Sequence, residues 1–252
     1  MGKKTKIDWC DSTWNPVTGC LHGCEYCYAR GIAKRFGWCG DDKIHDIDKA
    51  QKNEIGNINP YPYGFAPTFH RYRLDEPKRW QKPRTIFVCS MADLFGEWVP
   101  DEWIIEVLNA CREAPQHRFL FLTKNPTRYD RLEDAGIITT KDMNFWLGST
   151  VTDLNKDKMH WSSILHTFMS NEPMLAPWPP AGKPNEKFRG EWPEWVIFGA
   201  ETGNRRGKVI PKKAWVDNAV VMCRNIGAKV FMKESLRGIM GEDFIQEFPW
   251  EA

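Results

Sequence analysis

The sequence predicts an α/β protein built on a partial or full parallel (β/α) barrel, with an open doubly wound sheet as the alternative. From about residue 82, short apolar runs alternate with segments of helical periodicity, which is typical of a parallel sheet. The chain has no internal repeat and no low-complexity tract. At 252 residues we expect a single domain over 1–252, although length alone also permits two small ones.

The candidate strands are short and rich in Val, Ile, Phe and Trp, residue types that favour a pleated, buried surface. They cover residues 85–90, 118–123, 144–149, 164–170, 195–200 and 229–233. Helical patterns lie between them. Apolar residues recur at helical spacing over 101–114, an Asn-Pro pair opens a helix over 125–136, and a third helix covers 211–226. Strand and helix therefore alternate several times along the chain.

Two segments depart from this alternation. Residues 37–75 are polar, with several Gly and Pro, and we interpret them as an insertion or lid outside the core. Residues 171–195 are rich in Pro and Trp and predict an irregular, ordered loop that could cover a pocket. Neither has the composition of a domain linker, so the prediction remains one domain with a polar insertion.

Composition and charge restrict the class of protein. The chain is 42% hydrophobic and 27% charged, as is ordinary for a soluble protein, and no apolar run approaches the roughly 18 residues of a membrane span. The first residues carry lysines without an apolar stretch behind them, so we expect no secretory signal, no membrane partner and a cytoplasmic location. The net charge of +2 excludes a strongly basic nucleic-acid footprint over the whole chain.

Three of the eight cysteines, Cys20, Cys24 and Cys27, fall within eight residues. In a reducing cytoplasm this clustering favours metal binding over disulfides. Thiolates are soft ligands that suit zinc, copper and iron–sulfur clusters. A structural zinc ion would need a fourth ligand, for which His22, Cys39 and His45 lack convincing spacing. A four-iron cluster can instead leave one iron open, so both kinds of site remain candidates.

The loop that contains these cysteines resembles that of the radical S-adenosylmethionine (SAM) superfamily. There, a Cys-x3-Cys-x-aromatic-Cys loop follows the first barrel strand and binds three irons of a 4Fe-4S cluster. Cys20, Cys24, Tyr26 and Cys27 match this pattern fully. The resemblance implies that the open iron binds SAM and that an electron from the cluster cleaves it to a 5′-deoxyadenosyl radical. It also implies a flavodoxin-like or ferredoxin-like electron donor.

A wider set of motifs resembles an uncharacterised phage and prophage family with a radical-SAM-like core. The matching segments are residues 14–20 (WNPVTGC), 73–77 (RLDEP), 88–95 (VCSMADLF), 121–124 (FLTK), 171–173 (NEP) and 196–201 (VIFGAE). The chain differs from that family at Cys89, where asparagine is usual, and in the longer segment 37–75. By motif, the relatives of this family are similar to the spore photoproduct lyases, which repair a thymine lesion in DNA.

The resemblance implies cofactor contacts at the carboxyl ends of the strands, where ligands of parallel barrels gather. Tyr26 belongs to the cysteine loop itself. Ser90, Met91 and Asp93 follow the strand over 85–90 and match a segment that binds the amino group of the cofactor. The alternative for Asp93 is a helix cap or a turn residue. Ser149 or Thr150 matches the position of a ribose contact.

Other polar residues at strand ends are candidate catalytic or substrate contacts. Lys124, Glu172 and Glu201 each follow an apolar run and could point into one cavity, and for Glu172 and Glu201 we favour a substrate or cofactor contact over a solvated charge. Lys233 is a weaker candidate of the same kind. Cys89 could donate a hydrogen atom to a radical, although a cysteine inside an apolar strand is usually a small buried hydrophobe.

A local basic run could bind nucleic acid. It comprises Arg205, Arg206, Lys208, Lys212 and Lys213. Together with Tyr61, Tyr63, Phe65 and Phe69, it could form a groove that grips phosphates and stacks bases. Solvated surface loops explain the same residues. The sequence therefore favours a radical SAM enzyme acting on a nucleic-acid base, with a peptide or small metabolite as the alternative substrate. A non-catalytic zinc-binding interaction module is the third hypothesis.

Overall fold

The computed structural model describes residues 5–36, 43–179 and 192–251. The strands in these ranges are, in chain order, β1 (Ser12–Trp14), β2 (Val17–Thr18), β3 (His45–Ile47), β4 (Thr68–His70), β5 (Thr85–Val88), β6 (Arg118–Thr123), β7 (Phe145–Thr150), β8 (His166–Asn171), β9 (Trp195–Phe198) and β10 (Lys229–Met232). The α-helices are α1 (Tyr28–Ala33), α2 (Glu76–Arg79), α3 (Asp101–Arg112), α4 (Thr127–Asp134), α5 (Lys213–Asn225) and α6 (Arg237–Met240).

Seven strands form one parallel sheet in the order β1-β5-β6-β7-β8-β9-β10, and the sheet curls into a half-barrel. Each strand pairs with the next one of the sheet in chain order, without the reversal of direction that defines a doubly wound sheet. In the described ranges the edge strands β1 and β10 do not pair with each other. The predicted partial parallel barrel is therefore confirmed, and the doubly wound alternative is wrong.

All six predicted strands and the three predicted helices are present, with ends that differ by one or two residues. The strand β1 has only three residues, too short for any periodic pattern. It adds the first strand of the barrel, and only β2 lies between it and the cysteine loop. The order of elements along the chain therefore places the loop at the carboxyl end of β1, among the other strand ends.

The two faces of the sheet bury different sets of side chains. On the outer face, Ile86 and Val88 pack in a core with Ile104 and Leu108 of α3, because successive side chains of a strand point to opposite sides. The inner face carries large aromatic residues instead. Trp9 packs against Phe87 of this face, with ring centroids 4.6 Å apart, and belongs to an apolar cluster inside the half-barrel. The inner space is thus filled near the amino ends of the strands.

The final residues of the described chain complete this inner cluster. Glu247 accepts hydrogen bonds from both terminal nitrogens of Arg224, each at 2.7 Å, and from the backbone N–H of Val230 at 2.9 Å. The indole of Trp195 donates to the backbone oxygen of Glu247. These bonds hold the following residues against Trp195, whose ring centroid lies 5.1 Å from that of Trp250.

The strands β2, β4 and β3 form a second, small sheet beside the half-barrel. It falls largely in the segment 37–75, of which 37–42 lie outside the described residues. Most residues of 48–59 are exposed, as a polar insertion predicts, but Tyr61, Phe65 and Phe69 are buried. This part of the segment belongs to the core and differs from the sequence expectation, because three aromatic residues scattered among polar ones give no periodic signal.

Of the predicted loop 171–195, residues 180–191 lie outside the described part of the chain. Residues 172–179 leave β8 and are irregular, and Trp178 among them is buried against Phe198. Within the described ranges, no helix is long and apolar enough to cross a membrane.

Candidate active site

A cavity of about 490 Å³ lies at the carboxyl ends of the parallel strands, above the aromatic residues that fill the half-barrel. Its floor includes Trp9, Phe87 and Leu122. The polar side chains on its walls come from the cysteine loop and from the ends of most barrel strands. Those predicted from the sequence are Cys20, Cys24, Tyr26, Cys27, Ser90, Asp93, Lys124, Thr150, Glu172, Glu201 and Lys233. Met91 also lines the cavity. Sequence reasoning thus brought together residues that are up to 213 positions apart (Cys20 to Lys233).

The backbone of the cysteine loop is fixed by the segment that carries Phe65 and Ala66. The Cys20 N–H donates to the oxygen of Phe65 at 3.2 Å. Gly19 has a φ of 86°, and a Cβ there would lie 2.3 Å from the oxygen of Ala66, so only glycine fits. At the other end of the loop, Cys27 Sγ accepts from the N–H of Arg30 at 3.4 Å and caps α1. Both loop ends are therefore anchored.

Three further contacts tie the cysteine loop to the turn after β5. The Gly19 N–H donates to the oxygen of Met91 at 3.0 Å, and the Tyr28 hydroxyl donates to the oxygen of Ser90 at 2.7 Å. His22 Nε2 lies 2.7 Å from Asp93 Oδ2. The segment that the resemblance assigns to the cofactor is thus attached to the cysteine loop by both backbone and side chains.

Asp93 is 5% exposed and its carboxylate is well supplied with donors. It accepts from His22, from the N–H of Lys124 at 2.9 Å and from the N–H of Phe95 at 3.1 Å. Burial by itself raises the pKa of this carboxyl, but the hydrogen bonds from His22 and Lys124 outweigh burial and hold the pKa below its usual value. Its geometry is that of a residue that positions the cysteine loop.

The three thiols of the cysteine loop all line the cavity. Cys20, Cys24 and Cys27 are all half-buried, and burial raises the pKa of the Cys20 thiol to about 12. Within the described residues, no three ligating side chains form a group that could hold one metal ion. Ligands of a single zinc ion must converge to about 2.1–2.3 Å from one point, whereas the thiolates of an iron–sulfur cluster bind different irons. Cys39, a candidate fourth zinc ligand, lies outside the described residues.

The two candidate ribose contacts, Ser149 and Thr150, are neighbours at the end of β7 but lie in different surroundings. Thr150 lines the cavity, whereas Ser149 is absent from its walls and is fully buried. The Ser149 hydroxyl accepts from the N–H of His160 at 2.9 Å. Neighbouring strand residues face opposite sides of a sheet, so the two could not both reach the cavity. The geometry favours Thr150.

Cys89 does not line the cavity. It is 3% exposed, it belongs to the outer core beside Val88, and burial raises its pKa to about 12. Its φ of 57° lies in the left-handed region, which asparagine tolerates far better than cysteine does. The position favours a small buried hydrophobe over a hydrogen-atom donor.

Glu172 and Lys233 form an ion pair inside the cavity, with Oε1 and Nζ 2.6 Å apart. The side chains are 25% and 21% exposed. Gly199 lies behind Glu172, and a Cβ at that position would be 2.9 Å from Glu172 Cγ. The absence of a side chain at residue 199 therefore makes room for the pair.

Glu201 is held by Arg205, with which it makes two hydrogen bonds of 2.6 and 2.8 Å. These bonds hold the pKa of Glu201 below its usual value. Arg205 also lies 3.3 Å from Glu25 of the cysteine loop. The guanidinium therefore bridges the loop and the end of β9, and it is committed to carboxylates rather than free for phosphates.

The predicted nucleic-acid groove is not formed as expected. Besides Arg205, Lys213 is paired, with both Asp217 and Asp243 at 2.8 Å. The predicted stacking aromatics Tyr61, Phe65 and Phe69 are buried, although Phe65 also lines the cavity, and Tyr63 is stacked on His45. Lys208 donates to the oxygen of Gly203. Tyr61 and Phe69 therefore supply core rather than a stacking surface, and nucleic-acid binding by the basic run stays a prediction.

Two residues of the site were not predicted in their present roles. Ser170 lines the cavity and is on the same face of β8 as Phe168, a position that the period of two could have indicated. The sequence indicates His22 only as a candidate metal ligand. Its actual partner, Asp93, lies 71 residues further along the chain, a contact that no local pattern indicates.

A parallel half-barrel with a Cys-x3-Cys-x-Tyr-Cys loop at its mouth defines a protein with the fold of the radical SAM class. The chain belongs to the family described as "Protein of unknown function (DUF5131)", whose model matches residues 4–239. No curated protein matches the chain.

Among solved structures, the fold is similar to that of a spore photoproduct lyase complexed with dinucleoside spore photoproduct, with a TM-score of 0.54 and 12% identity over 92% of this chain and 79% of that chain. A cysteine-to-alanine mutant of that enzyme with the same dinucleoside gives a TM-score of 0.53 at 12% identity, over 92% of this chain and 79% of that chain. Spore photoproduct lyase is a radical SAM enzyme. At this identity the similarity shows the fold.

Proposed function

We propose that this chain is a radical SAM enzyme that binds a 4Fe-4S cluster through Cys20, Cys24 and Cys27 and generates a 5′-deoxyadenosyl radical. One observation carries the proposal: the three thiols of the motif line a single cavity at the mouth of a parallel half-barrel. Ligands of such barrels bind at this end of the strands. The fold similarity to spore photoproduct lyase supports the same class of enzyme.

The residues around the cysteines have separate tasks in this proposal. A cluster held by three thiolates would keep one iron open for SAM and would supply the electron for its cleavage. Thr150 offers a hydroxyl for the ribose, and Tyr26 offers an aromatic surface. Glu172 and Lys233 offer a carboxylate and an ammonium group for the charged ends of the cofactor or substrate. The aromatic floor excludes water from below, which protects a reactive radical.

For the substrate, we propose a base of a nucleic acid or nucleotide. The support is the similarity to an enzyme whose structure holds a dinucleoside. The alternative, a peptide or small metabolite, would use the same cavity without phosphate contacts. A flavodoxin-like or ferredoxin-like electron donor and a reducing, cytoplasmic setting accompany the proposal, because half-buried thiols and an iron–sulfur cluster require protection from oxidation.

Anaerobic reconstitution with iron and sulfide tests the proposal. We expect about four irons and four sulfides per chain with the brown absorbance of a cluster. Alanine variants of Cys20, Cys24 and Cys27 should lose this absorbance. Cys10→Ala is the matched control, since Cys10 is also half-buried but is not among the residues that line the cavity. Stoichiometric zinc without sulfide would contradict the proposal and support the zinc-binding module.

A further inference from the structure

The cavity that the three cysteines line is the cysteine cavity. A second pocket, the side pocket, adjoins it and has a volume of about 290 Å³. The two share Tyr26, Lys124 and Thr150 as wall residues. The start of α4 and the loop 152–158 complete the side pocket. A ligand group in the side pocket would therefore be directly beside a group in the cavity.

The side pocket has an excess of positive charge. Lys124, Lys156 and Lys158 line it, against the single carboxylate of Asp157. That carboxylate is already engaged, because its Oδ2 accepts from the N–H of Thr152 at 2.6 Å, from the Thr152 hydroxyl at 2.9 Å and from a further N–H of the loop. Its hydrogen bonds fold the loop, and the lysines on either side of it both reach the pocket.

The lysines are available for a ligand. In the part of the chain that the structure describes, no carboxylate lies within ion-pair distance of Lys124 or Lys158. Lys124 Nζ is positioned 5.8 Å from the centroid of the Tyr26 ring, at the boundary between the two pockets. Lys156 pairs with Asp153 at 3.2 Å, but its side chain is 80% exposed, and an exposed pair of this kind is weak.

From this arrangement we infer that the side pocket binds a phosphate group of the substrate, whose reacting part lies in the cysteine cavity. Lysine ammonium groups bind phosphate as point charges, and three of them line the side pocket. The inference rests on the proposed function for the chemistry in the cavity and names its substrate class, a phosphorylated compound. A nucleotide unit and a small phosphorylated metabolite share this chemistry.

Phosphate binding to the anaerobically reconstituted protein tests the inference. The titration uses inorganic phosphate, followed by ³¹P NMR, at low and high salt. We expect saturable binding that weakens with salt. The double variant Lys156→Gln, Lys158→Gln should weaken it about tenfold or more, because two charge-assisted contacts are lost. Lys156 and Lys158 line only the side pocket, so the double variant should bind SAM as the original chain does.

The control is Lys82→Gln, which removes one lysine charge from an exposed position before β5, at the opposite end of the strands. A short single-stranded oligonucleotide serves as the second probe. Tighter binding of the oligonucleotide than of inorganic phosphate, lost in the double variant, assigns the pocket to a nucleic acid. Equal binding assigns it to a small phosphorylated metabolite. Absence of saturable phosphate binding, or equal binding by the double variant, overturns the inference.

These measurements need no reductant and no turnover. A chain that cleaves SAM but does not bind phosphate would refute the side-pocket inference and leave the proposed function intact. A chain that binds phosphate through these lysines but assembles no cluster would refute the proposed function and leave phosphate binding in the side pocket intact.

Discussion

His22 and Asp93 are joined by a 2.7 Å hydrogen bond that connects the middle of the cysteine loop to the turn after β5. The two residues are 71 positions apart in the chain. His22 also packs edge-on against Trp98, with ring centroids 4.8 Å apart. The loop is therefore held in place from inside the protein before any cluster binds. This preorganisation lowers the cost of bringing three thiols to one site.

Asp93→Asn should weaken the attachment of the cysteine loop. The amide keeps the size of the carboxylate but loses the charge and one of its acceptor oxygens, while three donors remain directed at it. We expect the free energy of unfolding to fall by about 3 kcal/mol. Thermal or denaturant unfolding followed by tryptophan fluorescence measures this change.

Glu194→Gln is the matched control for Asp93→Asn, because Glu194 also pairs with a histidine, His166, at 3.0 Å. Its side chain is 48% exposed, so the same change should cost less than about 1 kcal/mol. Equal effects of the two variants would show that the buried hydrogen bond does not anchor the loop.

Gly199→Ala should disturb the Glu172–Lys233 pair. The added Cβ would lie 2.9 Å from Glu172 Cγ, so the glutamate must move away from Lys233. We expect about 1–2 kcal/mol of destabilisation from overpacking, together with weaker SAM binding in an equilibrium titration. Gly238→Ala, which meets no atom within 4 Å, should change neither quantity by more than about 0.5 kcal/mol. If Gly199→Ala binds SAM as tightly as the original chain does, the Glu172–Lys233 pair does not contribute to the cofactor site.

The barrel itself was predictable because its strands carry strong local signals. The strand β5 has the sequence TIFV, and its neighbours are similarly apolar. β1, with three residues, has no such signal, and the resemblance of the cysteine loop alone implied a strand there. The burial of Phe69 was missed since its neighbours in sequence are polar, and only the pairing of β4 with β2 and β3 places it inside.

From the sequence, the candidate site could be predicted as far as which strand ends contribute residues to it. The rule that ligands gather at the carboxyl ends of parallel strands placed Thr150, Glu172 and Glu201 at one cavity. The choice between Ser149 and Thr150 depends on which way a strand residue faces, which the fold determines. Lys156 and Lys158 carry no distinguishing signal in the sequence, because loop lysines are usually solvated, and only the shape of the side pocket distinguishes them.

Low pH should weaken the hydrogen bonds of Glu247 that hold the final described residues in the inner cluster. The hydrogen bonds from Arg224 hold the pKa of Glu247 below its usual value. A carboxylate with a lowered pKa in the folded state stabilises the protein above its unfolded pKa of about 4.3, and this contribution is lost as pH falls through the folded pKa. Glu247→Gln should therefore cost about 1 kcal/mol at pH 7, discounted for partial exposure, and progressively less as the pH falls below about 4.3.

Thermal unfolding of the original chain and of Glu247→Gln across this pH range measures the effect. Glu251→Gln, at an exposed position near the same end of the chain, is the control and should behave as the original chain does at every pH. A cost for Glu247→Gln that does not diminish as the pH falls below about 4.3 would contradict the account.

The most direct test of the central claim is the formation of 5′-deoxyadenosine from SAM after reconstitution and chemical reduction without oxygen. The account predicts this product from the original chain and from Cys10→Ala. It predicts none above background from the alanine variants of Cys20, Cys24 and Cys27, whose thiols line the cavity. Full product formation by all three variants would contradict the claim that these cysteines hold the cluster that opens SAM.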